Sequence, residues 1–294
     1  MTNGTPEQPN KRGTFKSLAA RLPGIGKIVE ERDRLRAEGR RLRRDRRTLQ
    51  AKIGQLQEEL AATRLARLEG PAGPTCAACG YDVEEFLPGP NGRPNARCPR
   101  CQALERHRML LWLMRRHEFL FQAPARVLDV APSQSVRNYL WPRLRDDYVS
   151  IDLMMEKVSA RADLTRLCFA TDTFDVIVCY HVLEHIPDDA AAIAELARVL
   201  KPGGLAFIQV PRNPDELTAE DPSASVEERI RRFGQDDHVR LYGKDLETRL
   251  AAGGLIPRTE KPAAALSEDE RARFGLRADE EVWICRVRDG DPAR

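Results

Sequence analysis

The sequence predicts an α/β chain: a Rossmann-like, doubly wound and mostly parallel sheet preceded by a small metal-binding ribbon and an N-terminal coiled-coil helix. Three observations carry this. Short apolar runs alternate with helical patterns from residue 125 onward. Two Cys-x-x-Cys pairs stand 18 residues apart. Leucines recur every seven residues through a proline-free stretch near the start.

In chain order, residues 1–26 form a flexible lead punctuated by Pro and Gly. Residues 27–70 form the helix, with Leu35, Leu42, Leu49 and Leu56 on one seam position and Ile53 and Leu60 on the other. The earlier partners of that second position are Arg32, Gly39 and Arg46, so only the C-terminal half has a full apolar seam. This pattern predicts a homo-oligomer through the coil; the alternative is a single solvated helix. Residues 1–70 carry 17 Lys+Arg against 9 Asp+Glu, whereas the remainder carries 31 against 36. The Arg40–Arg47 run could meet nucleic acid or an anionic membrane surface. No aromatic residues interleave it for base stacking.

Residues 71–102 read as a zinc ribbon. Cys76, Cys79, Cys98 and Cys101 aim four thiolates at one point, which fills a tetrahedron and leaves the metal a structural role. Cys168, Cys179 and Cys285 stand alone, and an odd cysteine count with no apolar leader points to a reducing, cytoplasmic location. No run approaches the 18 apolar residues of a membrane span. Residues 103–123 form a connecting helix that splices the ribbon to the α/β domain, with His107 and His117 at the interface or surface.

Residues 124–294 hold that domain. Strands are expected at 126–131, 148–153, 174–180, 205–210 and 281–287, and helices at 188–200 and 244–252. Ligands in such sheets bind at the carboxyl ends of the strands, near the switch in strand order. A carboxylate after the second strand, Asp152, is suited to accepting hydrogen bonds from a sugar diol; alone it could equally cap its loop. In the stretch 235–242, His238 is flanked by carboxylates. That suits a general base, or else a hydrogen-bonded knot fixing a lid built from the insertion around Thr218, Glu220 and Asp221.

The block FDVIVCYHVLEHIPDDAAAIAELARVLKPGGLAFIQVP, residues 174–211, resembles the class I S-adenosylmethionine-dependent methyltransferases of the type-11 kind, in a bacterial subgroup with an N-terminal four-cysteine ribbon. The resemblance implies S-adenosyl-L-methionine as cofactor. It places Asp152 at the cofactor ribose, with Leu153 beside it among the cofactor-binding residues, Asp163 and Leu164 beside the adenine, and Tyr180 and His181 at the methionine end. The family's first loop has the form Asp-x-Gly-x-Gly-x-Gly. Here Asp129 is followed by Ala131, Ser133 and Ser135 at the three glycine places. The expected activity is methyl transfer to an O or N acceptor, a small molecule or saccharide, with His238 as first candidate base and His181 as second. The rival expectations are RNA methylation and a non-catalytic scaffold with a degenerate cofactor loop.

Overall fold

A computed structural model describes residues 25–68, 73–117 and 125–288; the expected lead over residues 1–24 and the stretch Phe119–Phe121 lie outside the described residues. The chain divides into two compact units at Gly70/Pro71. In the first, one helix α1 (Ile25–Leu68) runs for 44 residues, about 66 Å at the α-helical rise. Leu35, Leu42, Leu49, Leu56 and Ile53 are each more than half exposed on this single chain. No described helix is long and apolar enough to cross a membrane.

The second unit opens with the cysteine ribbon. Its two knuckles repeat one geometry: Gly80 N donates to Cys76 O at 2.8 Å and Gln102 N to Cys98 O at 3.0 Å. The residue after each pair is left-handed, Gly80 at φ 70° and Gln102 at φ 61°. Helix α2 (Glu105–Arg116) comes next, burying Met109, Leu110, Leu111, Leu113 and Met114. Arg108 is fully buried and joins the parts: its guanidinium donates to Ala96 O and Ala103 O in the ribbon and to Gly275 O in the α/β domain. Arg115 adds a second link, donating to Ala78 O in the ribbon and to the Tyr139 hydroxyl in the α/β domain, so this helix does the splicing expected of it.

The main sheet contains β1 (Val127–Val130), β2 (Tyr148–Asp152), β3 (Ala160–Arg161), β4 (Phe174–Tyr180), β5 (Leu200–Gln209), β8 (Ile256–Glu260) and β9 (Val282–Arg286). Its order is β3-β2-β1-β4-β5-β9-β8. The first five strands are parallel, and β9 runs antiparallel between β5 and β8. A small hairpin, β6 (Ala219–Glu220) with β7 (Arg240–Leu241), stands apart. The helices of the domain are α3 (Gln134–Leu144), α4 (Asp189–Val199), α5 (Val226–Phe233), α6 (Leu246–Ala252) and α7 (Glu268–Phe274).

All four residues of β1 are buried, which is why the run VLDV has no polar alternation. β5 starts earlier than the sequence suggests, at Leu200. A register shift after Phe174 absorbs Lys201-Pro-Gly-Gly, and a Cβ at Gly204 would stand 2.9 Å from Asp175 O. Lys201 Nζ, 2.8 Å from Asp175 Oδ2, closes this end. The core gathers Leu128, Ile177, Leu196, Ile208 and Trp283 between sheet and helices.

Candidate active site at the carboxyl edge of the sheet

Because β2, β1, β4 and β5 are parallel neighbours, their carboxyl ends bring the β1 loop, Asp152, His181 and Gln209 to one edge. The chain leaves β1 towards β2 on one side and β4 towards β5 on the other. The crevice between β1 and β4 is therefore the topological switch point where such sheets bind ligands. Both strands end on a strained, left-handed, non-glycine residue: Ala131 at φ 49° and His181 at φ 56°.

Before the β1 loop, Asp129 is buried and accepts the Tyr148 hydroxyl at 2.7 Å. Burial pushes its carboxyl up to about 7, although the Tyr148 bond pulls the other way. Ala131 N donates to Ile151 O at 2.8 Å. Ser133 caps α3, accepting from Val136 N, and lies 3.3 Å from Ser135 Oγ. Ser135 Oγ is 3.2 Å from His107 Nδ1, reaching in from α2. Leu104 N also donates to that nitrogen, so Nδ1 is an acceptor and the ring proton sits on Nε2. Burial lowers this histidine to about 3. Both hydroxyls that replace glycines are thus engaged with protein groups.

At the end of β2, Asp152 Oδ1 accepts from Met154 N at 2.6 Å and Met155 N at 2.7 Å. This oxygen caps its loop, while Oδ2 accepts nothing from the described residues. Leu153 beside it is 63% exposed. Asp163 accepts from the amide and hydroxyl of Thr165, which hold it below the ordinary carboxylate range. Leu164 is buried in the core.

After β4 the chain makes a single helical turn at Leu183–His185. Tyr180 is buried with its hydroxyl closed off and unpartnered, and burial raises its pKa. His181 N donates to Gln209 O at 2.8 Å, pinning its backbone beside β5. His181 Nδ1 lies 3.2 Å from Glu184 Oε1, an ion-pair distance without hydrogen-bond alignment. Glu184 is fully buried.

His238 is placed elsewhere. It is 2% exposed, its Nδ1 pairs with Phe233 O at 2.9 Å, and its ring meets His185 edge-on at 4.6 Å. The segment around it is a knot. Val239 N donates to Glu184 O, and Arg240 donates to Leu183 O, Ile186 O and Pro187 O. Tyr242 hydroxyl bonds Asp189 at 2.8 Å. Arg240, Arg249, Asp189 and Glu220 form one ion network, and Asp221 pairs with Arg232. The expected lid residues Thr218, Glu220 and Asp221 are all tied down, Thr218 by Asp245.

A cavity of about 350 Å³ opens at this edge, lined by His181, Gln209, Arg212 and Trp283 and, from the ribbon side, by Arg93, Glu105 and Arg106. His181 lines it and His238 does not. Arg106 and His107 were not singled out for the site from sequence; their signal was the polar start, ERHR, of an otherwise apolar helix.

The four ribbon cysteines gather their sulfurs within 4.8 Å of one another, Cys76 to Cys101 at 3.7 Å and Cys79 to Cys98 at 3.9 Å. A tetrahedron with Zn–S bonds of ~2.3 Å requires sulfurs ~3.8 Å apart. The donor set and spacing fit zinc.

Residues 111–208 match the family described as a methyltransferase domain. Over 104 residues the chain is 34% identical to the ubiquinone biosynthesis O-methyltransferase of Xanthomonas oryzae pv. oryzae, covering 29% of this chain and 43% of that one. A second relative of the same name, from Hahella chejuensis, is 52% identical over 44 residues, 15% of this chain and 18% of the relative. The chain thus spans less than half the length of these curated relatives. The crystal structure of an S-adenosylmethionine dependent methyltransferase from Mesorhizobium loti aligns at 17% identity and a TM-score of 0.40, over 60% of this chain and 97% of that one.

Proposed function

We propose that this chain, whose residues 111–208 match the methyltransferase-domain family, transfers a methyl group from S-adenosyl-L-methionine to an oxygen of a small-molecule or saccharide acceptor. The observation that carries the reading is His181, backed by the buried Glu184 carboxylate and lining a cavity at the carboxyl edge of the sheet, beside the switch point. Oxygen is preferred because the curated relatives are named O-methyltransferases.

The residues at the crevice fit the cofactor. Ala131 already holds the left-handed angle that a glycine would supply, and Ser133 and Ser135 turn their hydroxyls to protein partners. That favours a working loop over a scaffold's degenerate one. Asp152 Oδ2 is available to ribose hydroxyls, and exposed Leu153 offers an apolar face to adenine. When bound, the cofactor supplies a methyl group already activated on a sulfonium. The chain's own work is alignment and proton removal. His181 presents Nδ1 to Glu184, so Nε2 is the nitrogen left to take the proton of the acceptor hydroxyl. His238, buried against Phe233 and His185, serves the knot that holds this turn.

Calorimetric titration with S-adenosylhomocysteine tests the cofactor site: micromolar binding is expected, weakened at least tenfold in Asp152→Ala. A folded protein that fails to bind ends the methyltransferase reading. With an acceptor found by screening phenols and saccharides with labelled donor, His181→Ala lowers kcat by about 10² or more. Full turnover in that variant removes His181 as the base.

We also propose that Cys76, Cys79, Cys98 and Cys101 hold one structural zinc, with no open position for chemistry. Elemental analysis should find one zinc per chain, lost in Cys98→Ser. Metal-free protein with an unchanged melting temperature would refute it.

A further inference from the structure

The cavity beside His181 is crowded with charge, and most of that charge is matched internally. Arg93 holds Glu105 through two bonds of 2.7 and 2.9 Å. Arg212 grips Glu281, which also meets Lys261. Arg277 pairs with Asp279 in the same forked manner. Glu280 accepts from Gln209 Nε2 at 2.9 Å, and burial raises its pKa, which weakens the negative charge it contributes.

Arg106 is the exception. It is the second residue of α2, it lines the cavity, and it is partly buried. It makes no hydrogen bond or ion pair with any described residue. Its guanidinium has lost part of its water, as its lowered pKa reflects, and Glu280, Glu105 and Glu184 act on it only from beyond ion-pair distance. A cation in that condition carries a desolvation cost that a bound oxyanion offsets. The planar fork of five N–H donors suits two oxygens of one carboxylate or phosphate. Trp283 Nε1, on the same lining, is a second donor without a partner among the described residues.

We propose that Arg106 is the anion-anchoring residue of the acceptor site: the methyl acceptor carries a carboxylate or phosphate that Arg106 binds while the hydroxyl is presented to His181. The acceptor's role rests on the methyl transfer proposed above; the existence of an oxyanion site beside Arg106 does not. Anchoring by a fixed charge lets one cavity orient a small substrate without a deep apolar pocket, and excludes neutral analogues of the same shape.

The test uses the full chain and two probes, benzoate and inorganic phosphate, titrated with and without S-adenosylhomocysteine and followed by calorimetry or ligand-observed NMR. One probe binds the wild type saturably, to one site per chain, and its identity tells carboxylate from phosphate. Arg106→Gln weakens that binding tenfold or more, Arg106→Lys keeps part of it, and affinity for S-adenosylhomocysteine stays within twofold in both. Since Arg106 holds no other described residue, both variants fold with the wild-type melting temperature. Failure of both probes to bind, or binding untouched by Arg106→Gln, overturns the proposal. So does a tenfold loss of S-adenosylhomocysteine affinity in Arg106→Gln with the probe competing for its site, which would assign Arg106 to the cofactor's own carboxylate. Arg106-dependent anion binding in a wild type that ignores S-adenosylhomocysteine overturns the acceptor role and the methyl-transfer reading, leaving only an anion site.

Discussion

The turns after β1 and β4 lie side by side and begin alike, each on a left-handed non-glycine residue, yet they are held by different means. The β4 turn is clamped from one direction. One buried guanidinium, Arg240, takes the carbonyls of Leu183, Ile186 and Pro187, and Val239 N takes Glu184 O. The β1 loop is held by short side chains instead. Ser133 caps α3, and Ser135 meets a neutral histidine delivered by the helix that also carries the ribbon. Backbone carbonyls satisfied by a fixed cation make a stiff wall, suited to aiming His181. A loop fastened through hydroxyls to α2 couples the β1 edge of the sheet to the ribbon.

The largest expected effect breaks the stiffer of the two. Arg240→Ala strands three carbonyls and removes one of the two cations facing buried Asp189, which keeps Arg249 and the Tyr242 hydroxyl. Each buried acceptor left without a donor costs about 1–3 kcal/mol, so the loss here is about 3–5 kcal/mol. For a domain of this size that lowers the melting temperature by roughly 10 °C. Arg240→Lys should fall between, because one ammonium cannot span the same carbonyls. A shift below about 3 °C in the alanine variant would mean that the turn is held chiefly by its own backbone, and the contrast with the β1 loop would vanish.

This difference also marks how far the fold could be read from sequence. β4 was legible to the residue, Phe174–Tyr180, and α4 to within one residue at each end, because long apolar patterning fixes both. The cysteine quartet was legible from spacing alone, and the structure brings its sulfurs together. β8, IPRTE, was not: an edge strand bearing Pro257 and three charged or polar residues has no apolar signature. Helix α5 was hidden by its exposure, since only Phe233 is buried. In the site, sequence could place His181 and Asp152 at strand ends, but it left His238 open between a base and a structural knot. That distinction depends on Phe233 and Glu184, one five residues upstream and one across the fold. Arg106 escaped for a related reason: an arginine shows its lack of a partner only in three dimensions.

A smaller and subtler effect concerns the β1 side. Asp129 titrates at about 7 in the fold against an ordinary 3.8, because burial disfavours its charge. Between those values the unfolded chain is ionised while the folded one keeps its proton, so stability falls as pH rises from about 4 to 7 and is level above. His107 works the other way. At about 3 in the fold against 6.5, it stays neutral while the unfolded chain takes up a proton, so stability falls as pH drops from 6.5 towards 3. The two slopes oppose each other over most of the acid range and flatten the wild-type profile. Asp129→Asn removes only the first. Its amide oxygen can still accept the Tyr148 hydroxyl, and no charge need be buried. Thermal unfolding should therefore show the variant equal to wild type near pH 4 and more stable by several degrees near pH 8. Its profile should also rise visibly from pH 4 to 6.5, the slope of His107 laid bare. An offset of the same size at both pH values would show that Asp129 does not titrate in this range. The loop after β1 would then owe its hold to hydrogen bonds alone, without the fixed charge that clamps the turn after β4.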